Sequence, residues 1–453
     1  MSLNIDLKRG LNIPLKGEAE LRLSKTIVPD IVAVEPTCFK GFTPRLLVSE
    51  GDKVLCGSPV MADKIHPEIL LTSPVSGTVK AISRGEKRKL LAVLIQTDEE
   101  QKCAEFKLKD PDKLSADDVK KAMLDSGLWP WLIQRPYGTI ANPDVTPRSI
   151  FASAFDSAPL APDYEFTLAE DIHYIQAGIN AVSLLSNGGF HLSLSRASYA
   201  KSPFHKMENT VMHSVSGPHP AGNPGCQIAA ISPIRKDDIV WTISLQGLAE
   251  VGKLILTGKV NRRRKVAITG PMAISPSYIE TVPGMPIKEI APFYGTNADE
   301  LRFVSGNALS GRNVGENGYL GFFDSQITLL KEGKQTELFG WLRPIRYKQF
   351  SADRSYFSWL APRRKYDMDT NLHGGPRAFV MSDEYYRRVL PMDIFPLYLI
   401  KACLAGDIDK MEKFGIYEVL PEDLALCEFV DPSKNEIQDI IEKGIETMRK
   451  EMA

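Results

Sequence analysis

The sequence predicts a multidomain α/β and α+β chain, and three features of its 453 residues lead there. Short alternating runs broken by Gly and Pro fill the first hundred positions, which is the pattern of small strands and tight turns. Strand-like and helix-like segments then alternate as far as Leu256, the order of a parallel sheet covered by helices. A second β-rich stretch follows, and the chain ends in helical periodicity. A single core stops growing near ~250 residues, so a chain of this length divides. The divisions expected are 1–100, 101–260, 261–333, a β and loop connection over 334–380, and a helical domain over 381–453.

Composition narrows the function classes. An apolar content of 43% with 25% charged residues is that of a globular protein. The net charge of -1 gives no drive toward nucleic acid. The longest strictly apolar run, Leu90 to Ile95, falls far short of the ~20 residues of a membrane helix. The opening MSLNIDLKRG lacks the apolar centre of a secretory signal. No direct membrane span is expected, and the chain is placed in, or facing, the cytoplasm. Six cysteines without a C-x-x-C pair and seven histidines without an H-E-x-x-H give no local metal or cluster site.

Within the first unit, Gly51-Asp52-Lys53-Val54, Gly57 and Ser73-Pro74-Val75-Ser76-Gly77-Thr78-Val79 resemble the barrel-sandwich domain that carries lipoate or biotin. Such domains present a modified lysine at a hairpin tip, and Lys64 stands near that tip. Two readings follow: a lipoyl or biotinyl carrier modified on Lys64, or a β-sandwich with an ordinary surface lysine. Leu90 to Ile95 supplies a buried strand.

Ser115 then opens a helix, with Asp118 in a capping-box position and Gly127 as its stop. Ser149 to Phe155 reads as a buried strand, Leu168 to Leu185 as a helix with an apolar stripe, Phe190 to Leu194 as a strand and Ile239 to Leu256 as a helix. The result is a Rossmann-like α/β domain in outline. Gly217-Pro218-His219-Pro220-Ala221-Gly222-Asn223-Pro224-Gly225 encodes one rigid path, because Pro fixes φ and Gly permits positive φ. It serves either as a functional loop or as a structural turn. Arg262-Arg263-Arg264-Lys265 precedes a small β-grasp-like (SLBB-like) domain. That run could meet anionic lipid headgroups, although a solvated interdomain face is the commoner reason for such a cluster. At the end, Gly406 stops one helix, and Ser433 with Glu436 forms a capping box for the last, whose apolar face is Ile437, Ile440, Ile441, Ile445 and Met448.

Several segments in order carry a family resemblance: the N-terminal sandwich, Ser126-Gly127-Leu128-Trp129 with Arg135-Pro136, Gly217-Pro218-His219-Pro220-Ala221-Gly222, Leu338-Phe339-Gly340-Trp341, Val389-Leu390-Pro391-Met392-Asp393 and Cys427-Glu428-Phe429-Val430. Nearly end to end, the chain resembles the NqrA family of bacterial Na⁺-translocating NADH:quinone reductase subunits, which is similar to the RnfC-type subunits and to the flavin subunit of complex I. Those relatives wrap FMN phosphate with a glycine-rich loop, since backbone N–H groups must approach it closely. Here Trp129, Pro130 and Trp131 fill the corresponding stretch. They also hold an iron–sulfur cluster on about four cysteines, where this chain has Cys427 alone, followed by Asp431-Pro432 as helix punctuation.

The resemblance therefore implies a peripheral subunit on the cytoplasmic face of the bacterial inner membrane, with no redox cofactor and no catalytic side chain of its own. Its partners would be the other reductase subunits, chiefly the membrane subunit NqrB, with FAD, FMN, riboflavin and a 2Fe–2S centre on those other subunits. Quinone binding near NqrB is also implied. Trp129, Trp131 and His219 are the candidate quinone contacts by chemistry, because aromatic faces stack on a quinone ring and an imidazole bonds its carbonyl. The competing roles are core tryptophans and a loop-fixing histidine. A flavoprotein oxidoreductase binding FMN or NAD on the α/β domain is the remaining alternative.

Overall fold

The computed structural model describes residues 2–334, 346–352, 354, 356–371 and 382–451. The Leu338 to Trp341 motif, and with it part of the expected 334–380 connection, lies outside the described residues.

The N-terminal sandwich pairs a four-stranded sheet (Ile31–Val34, Leu90–Thr97, Gly77–Arg84, Lys53–Val54) with a three-stranded one (Pro44–Leu46, Pro59–Asp63, Leu70–Thr72). Val32, Val60, Met61, Val79, Val93 and Ile95 fill the space between them. Gly77, in the Ser-Gly-Thr motif, is required by close packing: a Cβ there would lie 2.1 Å from the Gln96 carbonyl oxygen. The sandwich proper begins at Ile31. Asn4–Asp6 joins the α/β sheet in parallel with Val211–Ser216, and Glu20–Thr26 edges the six-stranded sheet beside Ser277–Thr281. The stretch expected to open the sandwich therefore ties the other two domains to it. Local patterning finds such strands but cannot say which sheet they pair with.

The α/β domain is built on a seven-stranded sheet in the order Asn4–Asp6, Val211–Ser216, Phe190–Ser195, Ile150–Ser153, Val240–Thr242, Ile133–Arg135, Thr139–Ile140. Its first five strands are parallel, Ile133–Arg135 runs antiparallel to them, and Thr139–Ile140 pairs antiparallel with Ile133–Arg135. Alternate residues face opposite cores, as the two-residue period of a strand requires. Ile150, Ala152, Leu192 and Trp241 point to one core, and Phe151, Val215 and Val240 to the other. Helices Ile172–Ser183 and Leu245–Thr257 cover the first face. They approach so closely that a Cβ on Gly252 would lie 1.8 Å from the Tyr174 carbonyl oxygen. The short helix Pro224–Ile231 and the C-terminal helices cover the second face.

Helix Ala116–Asp125 starts as expected: the Ser115 hydroxyl accepts from Asp118 N (3.2 Å) and the Asp118 carboxylate accepts from Ser115 N (3.0 Å). Two other elements differ from expectation. Ile239 to Leu256 is not one helix. Val240–Thr242 is a central strand, and Ser244 caps a helix that begins only at Leu245. A β-branched and aromatic triplet followed by a capping serine decides this. The last helix starts at Ile437, so Ser433 is not its cap. Lys434 takes a positive φ of 53° between them, the Asp431 carboxylate takes the backbone N–H of Asn435 (2.8 Å), and Gln438 N donates to Glu428 Oε2 (2.9 Å).

A six-stranded sheet makes the third unit, in the order Arg312–Asn313, Leu301–Ser305, Gln326–Lys331, Arg264–Thr269, Ser277–Thr281, Glu20–Thr26. Its core is Val266, Ile268, Ile279, Phe303, Ile327 and Leu329. The chain ends in helices Asp383–Val389, Pro396–Ala405, Ile408–Phe414, Ala425–Val430 and Ile437–Glu451. Buried Arg135 joins them to the α/β sheet, donating to Asp423 Oδ2 at 2.9 Å.

Candidate functional site

Trp129-Pro130-Trp131 forms one 3₁₀ turn directly after the first helix of the α/β domain. Both indoles are buried, with exposures of 0% and 2%, and a buried indole N–H needs an acceptor. Trp129 Nε1 donates to the Ala141 carbonyl at 2.8 Å and its ring meets Trp241 edge-on at 5.5 Å. Trp131 Nε1 donates to Glu250 Oε2 at 2.9 Å.

Glu250 projects from the inward face of helix Leu245–Thr257 and is fully buried. A carboxylate in such a place requires cationic partners. Arg262 Nη1 donates to the same Oε2 at 2.8 Å, while its Nη2 donates to the Gly127 carbonyl (2.8 Å) and to Thr72 Oγ1 (3.2 Å). Arg264 Nη2 lies 3.7 Å from Glu250 Oε1, and its Nη1 donates to the Phe322 carbonyl at 2.6 Å. The Arg264 guanidinium sits over the Trp131 ring at 5.5 Å, and Arg262 over Phe322 at 5.2 Å. Phe322 packs on Trp131 (4.9 Å) and on Phe39 (4.8 Å). Phe39 and Thr72 come from the sandwich, Gly127, Trp131 and Glu250 from the α/β domain, and Arg264 and Phe322 from the six-stranded unit. The cluster is thus a junction of three domains. On its Phe39 side the space left is about 30 Å³, bounded by Phe39, Thr72, Gly127, Arg262, Gly284 and Phe322. That volume matches a single water and is far below a ligand pocket of several hundred Å³.

Arg262 and Arg264 belong to the basic run singled out in the sequence. Burial alternates along that run: Arg262 and Arg264 are buried, Arg263 is exposed and Lys265 half-buried, and all four border a cleft of about 770 Å³. Lys265 pairs there with Glu170 at 3.3 Å and Lys253 with Asp171 at 2.9 Å.

His219 stands apart from the two tryptophans. Its loop turns back on itself through Ala221 N to Pro218 O (2.9 Å), and Ala221 packs in the core on the opposite face of the sheet. The ring is buried, its Nδ1 lies 3.1 Å from Ser157 Oγ, and its backbone N–H donates to Asn12 Oδ1 at 2.9 Å. Burial holds its pKa down to about 4. The structure therefore gathers Trp129 and Trp131 in one core and places His219 elsewhere.

Lys64 is exposed at the turn joining strands Pro59–Asp63 and Leu70–Thr72. The hairpin behind it is anchored, because Ile69 enters the α/β core and Thr72 Oγ1 donates to the Ser126 carbonyl at 3.3 Å. Cys427 is fully buried with its Sγ 3.9 Å from the Tyr386 carbonyl, and burial pushes its thiol above the ordinary cysteine range.

Family profiles match three stretches: an NqrA N-terminal barrel-sandwich hybrid domain over 5–98, an NqrA second alpha/beta domain over 114–260 and an NQRA C-terminal (SLBB) domain over 265–316. Among curated proteins, the NqrA subunit of the Na(+)-translocating NADH-quinone reductase of Neisseria meningitidis serogroup A is 35% identical, covering 99% of this chain and all (100%) of that protein. The chain belongs to the NqrA family. The corresponding protein of Serratia proteamaculans is 35% identical over 96% of the chain and 97% of its own length, and that of Rhodopirellula baltica 33% over 98% of each. Among solved structures, an NAD⁺-reducing [NiFe]-hydrogenase aligns with a TM-score of 0.34 at 12% identity, over 48% of this chain and 47% of that one. As an NqrA-family member, the chain is part of a Na⁺-translocating NADH-quinone reductase, an oxidoreductase complex whose other subunits are its partners. Among the described residues no helix is long and apolar enough to cross a membrane.

Sequence reasoning did not find Glu250 or its arginines as a unit. The signal was present: an acidic residue stands among Leu248, Ala249, Val251 and Leu254 on an amphipathic helix, and two arginines follow at strand spacing.

Proposed function

We propose that this chain is a peripheral subunit without a redox cofactor of its own, docking from the cytoplasmic side on the membrane subunits, chiefly NqrB. FAD, FMN, riboflavin and the 2Fe–2S centre belong, in this reading, to the other subunits. One observation carries the cofactor-free part. The turn where a phosphate-binding loop would need bare backbone is occupied by two buried indoles on an ion cluster. A pull-down from host membranes tests the docking, and co-elution of the other reductase subunits is expected. A chain that elutes alone, or that stays yellow after gel filtration, would overturn the proposal.

Quinone binding close to NqrB is the finer part of the reading. For Trp131 to stack on a quinone, Phe322 and Phe323, at 4.9 and 5.4 Å, must leave its ring. A photoreactive quinone applied to the assembled complex decides the matter. Label on the Trp129–Trp131 or His219 peptides supports direct contact. Label confined to other segments or subunits assigns these three residues to the core.

The carrier reading keeps one supporting observation, the exposure of Lys64 at its hairpin tip. Against it stands the anchoring of that hairpin through Ile69 and Thr72, where a swinging arm needs freedom. An intact mass of the native protein with no lipoyl or biotinyl addition is the expected result.

A further inference from the structure

Cys56 and Cys103 face each other across an isolated parallel β-bridge, with Cys56 N donating to Lys102 O (2.9 Å) and Ala104 N to Cys56 O (2.8 Å). Neighbouring strands lie about 4.7–4.9 Å apart, inside the Cα separation of about 4.4–6.8 Å that a disulfide accepts. Directly paired residues also send their side chains to the same side, so the two thiols are neighbours. Their surroundings differ. Cys56 is buried, with its Sγ 3.5 Å from the Val260 carbonyl oxygen. Cys103 is half-buried and opens, with Lys259 and Arg263, onto the cleft of about 770 Å³.

We propose that Cys56 and Cys103 are a reactive dithiol that peroxide oxidises to an intramolecular disulfide, fastening the segment that leaves the sandwich to the sandwich's own edge. The Cys103 thiolate attacks one peroxide oxygen, the O–O bond breaks, and the departing hydroxide takes a proton to become water. The Cys103 sulfenic acid that results is then attacked by the Cys56 sulfur. An S–S bond forms, the S–O bond breaks, and the hydroxide leaves with the Cys56 proton as a second water. The two thiols supply the two electrons that reduce one peroxide to two waters.

Electrostatics favours this division of labour. The adjacent Cys56 thiol, then Lys259 and Arg263, hold the Cys103 thiol down to about 6, so it is largely thiolate at neutral pH. The neighbouring Cys103, with burial, pushes Cys56 up, so Cys103 and not Cys56 is the thiol that meets peroxide first. Burial pushes Cys38 up to about 11 and Cys403 to about 12, and it raises Cys226 and Cys427 as well.

The test uses the reduced full-length chain treated with a small excess of hydrogen peroxide, then alkylated and mapped by mass spectrometry. Expected are the loss of two of six free thiols, a peptide pair joined through Cys56 and Cys103 with a mass loss of about 2 Da, and full reversal by dithiothreitol. C103S abolishes the cross-link and leaves Cys56 unmodified. C56S leaves Cys103 halted as sulfenic or sulfinic acid, and the pH midpoint of its alkylation moves up from near 6 toward the ordinary ~8.5. C103S alters a half-exposed side chain, so folding does not obscure the result. Wild-type Cys103 passing to sulfinic acid without a cross-link overturns the proposal. So does peroxide consuming another cysteine first, or a wild-type alkylation midpoint at the ordinary value.

Discussion

Replacing Glu250 by glutamine tests the ionic junction directly. The carboxylate holds Trp131 and Arg262 on Oε2, and Gln246 and Arg264 on Oε1, with Glu250 and both arginines buried. An amide oxygen in the place of Oε2 keeps the two shorter bonds, at 2.9 and 2.8 Å. The amide nitrogen then faces Gln246 Nε2 and the Arg264 guanidinium, placing donor against donor. Two guanidiniums also remain in a dry site without their anion. Removing one partner of a buried ion pair costs about 3–5 kcal/mol. The retained hydrogen bonds place Glu250→Gln near the lower end, about 3 kcal/mol.

Urea unfolding of the full-length chain, followed by tryptophan fluorescence, reads this loss because Trp129, Trp131 and Trp241 share the affected core. With a slope of about 2–3 kcal/mol per molar urea, the first transition moves down by about 1–1.5 M. The companion variant is Glu250→Leu with Arg262→Met and Arg264→Met. It removes the desolvated charges together and recovers most of the loss, since apolar replacement of a whole buried cluster is often neutral or stabilising. A Glu250→Gln midpoint within about 0.3 M of wild type, a shift of under ~1 kcal/mol at that slope, would mean that water reaches the arginines and that the junction is not sealed.

Other perturbations follow from the same geometry. His213 and His219 are held at about 4 chiefly by burial, with His191 adding to it at His213, while both titrate near ~6.5 when unfolded. The unfolded chain therefore binds more protons between those values. Stability falls as pH drops from 6.5 to about 4, by about 1.4 kcal/mol per pH unit for each histidine, and a His219→Gln stability profile should run flatter by one such slope. Gly252→Ala drives a methyl to within 1.8 Å of the Tyr174 carbonyl oxygen, and about 3 kcal/mol or more is expected from thermal unfolding. Gly51→Ala meets no atom within 4 Å and strains only a φ of 92°, for about 1 kcal/mol. Arg135→Met leaves Asp423 buried without its cation, so hydrogen exchange of the C-terminal helices should rise before that of the α/β sheet. Unchanged protection there would remove Arg135 from its role as the tie between the two.

How far the sequence could be read depended on whether the controlling interaction was local. The Ser115–Asp118 cap spans four residues, and its pattern names both partners, so that helix start was legible. The Gly406 stop belongs to the same class. Partner choice across hundreds of residues was not. Glu20–Thr26 is an exposed strand whose pairing with Ser277–Thr281 lies some 250 residues away, and nothing in the run itself names the sheet it joins. Ser433 shows the limit even at short range, because Lys434 after it takes a positive φ of 53° and the helix begins only at Ile437. At the candidate site, the bulk of Trp129 and Trp131 was legible as filling. The role of the basic run was only half legible, since composition counts four cations of which the fold buries Arg262 and Arg264.

That burial also explains why ions, and not apolar side chains, close the junction. An apolar plug tolerates small rotations of one domain on another, because dispersion contacts are individually weak and loosely directional. The Arg262 guanidinium is a rigid fork, and here it addresses Glu250 on a helix, Gly127 in a turn and Thr72 on a sandwich strand at once. Rotating the sandwich by a few ångströms breaks the bond to Thr72, and shifting the helix strands a buried charge. The three hydrogen bonds are satisfied together in one arrangement of the three domains, so the cluster specifies their relative position more sharply than the apolar area it displaces could. For a protein whose proposed work is to present a fixed face to membrane partners, a junction with one permitted arrangement supplies that property.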